Sequence, residues 1–412
     1  MEKFSKIIVL TIIGLSAAGA LYVCCSHTLS HRSRTAEIDI PSKPSLPEVR
    51  RARLVFAGDL MQHTPQLTAA RTPEGDFDFN ASFDWVRERF RAADAAIVNL
   101  ETTLSESGPY TGYPCFRSPA ALAEALDSLG VDITVLANNH CCDGGSKGIR
   151  TTIRELDRHG IEHTGVFLDS SDFRARHPLR FEAGGIRFAL LNYTYGTNGL
   201  PVPSGLSVNP IDTVRIAADL AAVEHDGVDC VIACMHWGNE YQREPNDDQI
   251  RLAQSLADGG ADIIFASHPH VLQKVDTLNA ADGRNVPVFY SMGNFISNQR
   301  TETLPSIANK RYTEQGMMAV VDLSVMKSTG EIIEQTVKVI PTWVDRYGSP
   351  VKYSIIPLDQ KMDSNEVLKT SGHLDRAREA LSDIETLIGA DYLNGKSMPG
   401  TSAGNSEGEE AA

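Results

Sequence analysis

His268 and His270 stand two residues apart at the end of the apolar run "ADIIFASHPH", with Pro269 between them. Imidazole both ligates metals and carries protons near neutral pH. Five other apolar runs of this chain end in the same manner. "LVFAGD" ends at Asp59, with His63 four residues on, and "AIVNLE" ends at Asn99 and Glu101. "ITVLANNH" gives Asn138, Asn139 and His140, "VIACMHWGNE" gives His236 and Glu240, and "VFYSMGNF" gives Ser291 and Asn294. An Asp, a Glu, an Asn and several His make an oxygen-and-nitrogen donor set suited to Mn, Zn or Fe, and unsuited to calcium or soft thiolate chemistry. The donors are too many for one tetrahedral site. Two divalent ions about 3.5–4 Å apart, bridged by a carboxylate, would use them all, supply hydroxide at neutral pH and clamp an anionic oxygen. Each residue alone has a plainer reading: Asn at a strand end makes a turn, and His236 before Trp237 is a satisfied core histidine. Six such endings together point to one site.

These residues act together only if the fold brings them to one place. The spacing of Phe83, Val86 and Phe90 predicts a helix over 82–94, with Ser82 as N-cap. "SPAALAEALDSLG" predicts a helix with Pro119 near its start and Gly130 as its stop, and "GSKGIRTTIRELDRHG" one ending at Gly160. "DTVRIAADLAAVEHDG", "NDDQIRLAQSLADGG" and residues 372–388 predict three more. Strand–helix–strand alternation implies a parallel sheet covered by helices on both faces. The carboxyl ends of its strands would share one edge, where ligands bind. Later, "VPVFYSMGNF", "GMMAVVDLSV" and "IIEQTVKVIPTWV" follow one another with no long helix between them. They predict an antiparallel second sheet, and hence a two-sheet α/β sandwich.

The chain has 412 residues, 42% hydrophobic and 22% charged, which is ample for a large core. Its net charge of -15, with no basic stripe, argues against a nucleic-acid partner. Residues 1–25 begin with Lys3 and Lys6 and continue in a mainly apolar, uncharged stretch from Ile7 to Cys25. That length comes close to spanning a hydrocarbon core. Two readings compete, a signal anchor and a cleaved signal peptide, and the lack of a clean small-x-small cleavage site favours the anchor. The body would then be membrane-anchored and extracytoplasmic, in the periplasm or at the cell surface. Residues 26–51, with "PSKPSLPEVR", read as a linker, 52–345 as the main domain, 346–392 as a C-terminal extension and 393–412 as a disordered acidic tail. The body cysteines Cys115, Cys141, Cys142, Cys230 and Cys234 form no CxxC pair, so no structural zinc site is expected. An exported body permits a disulfide from Cys115 to Cys141 or Cys142, whereas Cys230 and Cys234 read as small buried hydrophobes.

"GDLM", "VNLE", "LANNHCCDGG", "HWGNEY", "ADIIFASHPHVLQ" and "YSMGNFI" resemble, in order, the motifs of CapA/PgsA-type poly-gamma-glutamate capsule biosynthesis proteins. The resemblance covers residues 53 to about 297, and more loosely to about 345. It implies a fold like that of calcineurin-like metallophosphoesterases, a four-layer α/β sandwich with a di-metal centre. By that resemblance Asp59, Asn139, His236, His268 and His270 are metal ligands, Glu101 is the bridging carboxylate, and His140 is the acid that protonates a leaving group. Two departures stand out. His63 lies four residues beyond Asp59 instead of two, which suggests that it faces metal or substrate in another way, and Ser267 replaces a glycine before the paired histidines. Asp143, Glu240 and Asn294 are expected behind the ligands or facing substrate. The implied function is capsule polymer synthesis or export, with an anionic polymer and other capsule subunits as partners. The alternatives are an extracytoplasmic hydrolase of phosphoesters or amide-like bonds unrelated to polyglutamate, and a binding module with a vestigial site.

Overall fold

The computed structural model describes residues 48–400, apart from His225 and Pro305. The expected membrane or signal segment, most of the linker and the last twelve residues of the expected tail lie outside the described residues. No helix among the described residues is long and apolar enough to cross a membrane.

The chain builds one sheet, crosses to a second and returns to the first. β1 (Val49–Leu60), β2 (Ala95–Leu100), β3 (Ile133–Val135) and β4 (Glu162–Thr164) are parallel neighbours in that order. Two helices join them, α1 (Ala121–Leu129) and α2 (Gly145–Arg158). The second sheet uses β5 (Leu179–Ala183), β6 (Ile186–Thr194), β7 (Cys230–His236), β8 (Ile263–Ser267), β9 (Val275–Asn279) and β10 (Asn285–Phe289), in the order β9-β10-β8-β7-β6-β5. Its middle strands are parallel and its two edge pairs antiparallel. α3 (Thr213–Glu224) and α4 (Asp247–Asp258) lie in the crossovers of this sheet. β11 (Asn294–Ile296) then pairs with the end of β1. β12 (Gln315–Met326), β13 (Ile332–Tyr347) and β14 (Lys352–Pro357) add three antiparallel strands on the side of β1 away from β2. α5 (Leu374–Ile388) and β15 (Lys396–Pro399), the latter paired with β13, complete the described chain.

Side-chain alternation along each strand splits the apolar residues into separate cores. Leu54, Phe56 and Ile97 of the first sheet pack between the sheets against Phe188, Ile232 and Phe265 of the second. On the far face of the first sheet, Val55 and Val98 meet Leu122 and Leu126 of α1 and Ile153 of α2. On the far face of the second, Ala233 and Ile264 meet Leu220 of α3 and Leu256 of α4. The result is helix, sheet, sheet, helix, a four-layer α/β architecture.

Three expectations need correction. The late strands do not make a sheet of their own. β10 joins the second sheet parallel to β8, and β12 to β14 extend the first. Antiparallel neighbours can attach to the edge of a parallel sheet, and local pattern does not say which edge is open. Residues 82–94 do not form one helix. A 3-10 turn at Asn80–Phe83 is followed by a short helix at Arg87–Arg91. Short-range bonds from Ser82 N to Phe79 O and from Val86 N to Phe83 O replace the longer helical ones, and the Arg87 guanidinium takes the Asn80 carbonyl. Phe83, Val86 and Phe90 are buried all the same. Lastly, β13 runs through residue 345 and β14 pairs beyond it, while β15 forms within the stretch read as tail. Cys115 is exposed and makes no disulfide, and Cys230 and Cys234 are buried.

Candidate metal centre

The carboxyl ends of β1, β2 and β3 from one sheet and of β7 and β8 from the other converge on a single buried cluster. At β1 the approach depends on Gly58. The register with β2 skips it, so that Ala57 faces Val98 and Asp59 faces Asn99. This bulge re-aims Asp59 inward. A Cβ at Gly58 would lie 2.2 Å from the Gly293 carbonyl, to which Asp59 N donates at 3.0 Å. After β8 the chain turns through two left-handed residues, His268 at φ +106° and His270 at φ +56°. Non-glycine residues hold such angles at a cost, and do so where surroundings enforce them. Here Tyr241 N binds the Pro269 carbonyl, and His268 N reaches the Asp59 carboxylate at 3.3 Å.

Asp59, Glu101, Asn139, His236, His268 and His270 are all buried together. His270 Nδ1 lies 3.0 Å from Asp59 Oδ2 and 3.1 Å from Asn294 Oδ1. Two acceptors around Nδ1 place a proton there and leave Nε2 as the free nitrogen. That Nε2 and His236 Nε2 each lie 3.8 Å from Glu101 Oε1. Asn139 Oδ1 is 3.0 Å from His236 Nε2. Two sets of ligand atoms are close enough to share an ion: Asp59, Glu101 and His270, and Glu240, His268 and His270. His270 belongs to both. Glu240, assigned from sequence only a supporting place, thus brings its exposed carboxylate into one of the two sets.

The charges here are finely opposed. Burial pushes the Asp59 carboxyl up, but the hydrogen bond and charge of His270 outweigh it and hold it well below the usual range. Burial and the neighbouring Asp59 drive Glu101 well above its usual range. Burial, reinforced by His268, depresses His236 strongly, and burial with His270 pushes His268 down to about 3. His270 moves the other way: burial opposes its charge, but Asp59 raises it. Glu101 Oε1 and His268 Nδ1 are buried with no hydrogen-bond partner. Orphaned buried acceptors are rare and call for an occupant. A divalent cation would satisfy them and reverse the local preference for protonated Glu101. The donor set therefore fits the metals that the sequence suggests.

The remaining residues flank this cluster. His140 Nδ1 is 2.7 Å from Asp143 Oδ2, which also accepts from Phe116 N. His140 is in neither ligand set. His63 heads the short helix Thr64–Ala69, and its Nδ1 accepts from Asn298 N at 3.2 Å. Phe116 presents contacts to both His63 and His140, with ring centroids 4.9 and 4.7 Å away. Asn294 orients His270 and donates to the His270 and Thr313 carbonyls. Other contributors had no role assigned from sequence. Asn99 donates to Asp59 at 2.7 Å, and Asn138 donates to Asn99 Oδ1 at 3.1 Å. Tyr195 lies with its ring centroid 4.4 Å from that of His268, and Asn198 accepts from Asn139. The run "FALLNYTY" is a seventh that ends in polar residues, and this signal would have found Tyr195.

The family model described as "Bacterial capsule synthesis protein PGA_cap" matches residues 53–299. The chain belongs to this family. Its relatives include the PGA biosynthesis protein CapA of Bacillus subtilis (strain 168), 27% identical over 251 residues that make up 59% of this chain and 63% of the relative. The capsule biosynthesis protein CapA of Bacillus anthracis is 30% identical over 206 residues, 48% of each chain. The match thus spans less than two thirds of each of these two relatives. Among solved structures, the calcineurin-like phosphoesterase YfkN from Bacillus subtilis aligns over 82% of this chain and 100% of its own, at 14% identity and a TM-score of 0.40. That likeness is loose. All the ligand candidates of this family member lie inside the matched residues.

Proposed function

We propose that this member of the capsule synthesis family acts outside the cytoplasm, anchored by residues 7–25, and that its crevice holds two divalent ions (Mn, Zn or Fe) to engage an anionic capsule polymer, poly-gamma-glutamate. The observation that carries the metal reading is the buried Glu101 Oε1, which has no hydrogen-bond partner and lies 3.8 Å from Nε2 of both His236 and His270. Asp59, Glu101, Asn139, His236, His268 and His270 would hold the ions, with Glu240 reaching in from the mouth. Bound divalent ions supply a nucleophilic hydroxide near neutral pH and positive charge for an anionic oxygen.

The chain's own residues do the rest. Asp143 fixes His140 with its proton on Nδ1, which leaves Nε2 to carry a proton to or from substrate. Asn99 and Asn294 orient Asp59 and His270, so that the ligands stay fixed without substrate. The His140–Asp143 pair also favours a second reading, hydrolysis of phosphoesters or amide-like bonds with no link to polyglutamate. A pure binding site gains nothing from an oriented proton carrier.

Elemental analysis of the purified full chain, grown with added Mn and Zn, should approach two equivalents of metal. A value near zero rejects the metal reading. A parallel screen of poly-gamma-glutamate and simple phosphoesters separates the two substrate readings. Protease added to spheroplasts should digest the body, and a protected body would reject the anchored topology.

A further inference from the structure

A chain of net charge -15 repels an acidic polymer at long range, so engagement of such a polymer needs cations close to the crevice. Most arginines on this side are already spent. Arg300 and Arg376 are paired with Glu314, and Arg311 with Glu379 and Asp383. Arg243 is different. Among the described residues its side chain makes no hydrogen bond and no ion pair, although Glu240 and Glu244 share its loop, and its Nε is buried without a partner. Its guanidinium instead lies over the Tyr312 ring, 3.7 Å from the centroid. Stacking leaves the guanidinium edge, with its parallel N–H donors, free to meet a carboxylate.

Arg243 and Tyr312 sit on two segments that both touch the candidate metal centre. On the first, Tyr241 N binds the Pro269 carbonyl, and the Tyr241 ring lies 6.3 Å from that of His270. Gln273 Nε2 fixes this segment by donating to the Gln242 and Glu244 carbonyls. On the second, the Thr313 carbonyl accepts from Asn294. Asn309 Nδ2 joins the two by donating to the Tyr241 carbonyl at 2.9 Å. An unpaired, pre-oriented cation is thus held between two segments that reach His270 through Tyr241 and Asn294 through Thr313.

We infer that Arg243, steadied by Tyr312, is an anion subsite that takes a carboxylate of an acidic chain whose neighbouring group occupies the metal centre. This rests on the proposed polymer reading and adds a residue that reads the substrate beyond the metals. The test uses the full metal-loaded chain, a γ-linked glutamate decamer and, as a small anion for the centre itself, inorganic phosphate. Arg243→Gln should raise the decamer Kd by about tenfold, the loss expected for one charge-assisted contact, and reduce its salt dependence. Phosphate affinity and metal content should stay at wild-type values, and Arg243→Lys should recover part of the loss. A decamer Kd in Arg243→Gln within twofold of wild type overturns the subsite and leaves the polymer reading standing. A parallel loss of phosphate affinity also overturns it, because Arg243 would then serve the centre itself. Wild-type protein that binds metal and phosphate but not the decamer ends both the subsite and the polymer reading.

Discussion

Glu101 is fully buried, lies against a second carboxylate and leaves one oxygen without a partner. Such a group destabilises the protein unless a cation or a proton satisfies it. Glu101→Gln keeps the shape and removes the charge. In the variant, added Mn or Zn should no longer raise the melting temperature. Wild type should gain about 2.7 kcal/mol at a hundredfold excess over Kd. Equal metal-induced shifts in both proteins would remove Glu101 from the ligand set. His140 is predicted to behave differently, because it touches Asp143 and belongs to neither ligand set. His140→Ala should retain wild-type metal content while any hydrolysis slows by about 10²–10⁴-fold. Loss of metal together with activity would make His140 a ligand instead.

At the scale of elements, the centre depends on strands that approach more closely than side chains allow. Gly58 gives β1 the bulge that aims Asp59, and a methyl group there would strike the Gly293 carbonyl. Gly58→Ala should cost about 2 kcal/mol or more in urea unfolding, since the clash is with backbone that cannot rotate away. It should weaken metal binding as well, by displacing Asp59. Gly196→Ala is the control: a Cβ there meets nothing within 4 Å, so its effect should stay within about 0.5 kcal/mol. Comparable losses at both positions would mean that the close approach carries no special strain. This dependence was not legible in "FAGDLM". The glycine marks a possible bulge, but only the returning turn at Gly293 makes it obligatory.

The molecule as a whole is clasped far from the centre by Asp229. Arg50 on β1 binds both its oxygens at 2.8 and 2.9 Å, and Arg187 on β6 binds it through side chain and backbone, so one carboxylate joins the two sheets. Burial pushes this carboxyl up, but Arg187 and Arg50 outweigh it and hold it down to about 2, against 3.8 for a free group. A depressed carboxylate stabilises the fold above the unfolded value and loses that stabilisation as pH falls through the folded one. The contribution, about 2 kcal/mol, should therefore be intact at pH 5 and fade between about pH 4 and 2. Urea unfolding of wild type and Asp229→Asn should differ at pH 5 and converge at low pH, and a pH-independent difference would contradict the clasp. Truncation after residue 345 should abolish cooperative unfolding, because it removes β14 and α5 and uncovers Trp343, which is 2% exposed. The sequence by itself determined the strand–helix alternation, the polar residues at the strand ends and the donor chemistry of Asp59, Glu101, Asn139 and the histidines, because alternation, capping and residue type are local properties. It also carried the family, through six ordered motifs. The tertiary structure decided which sheet received each late strand, that β13 and β14 pair beyond residue 345, and that Asn99, Asn138 and Tyr195 support the centre. The pairing of β1 with β12 and the contacts of Asn99 with Asp59, Asn138 with Asn99 and Tyr195 with His268 join residues far apart in sequence, and such pairing leaves no local trace.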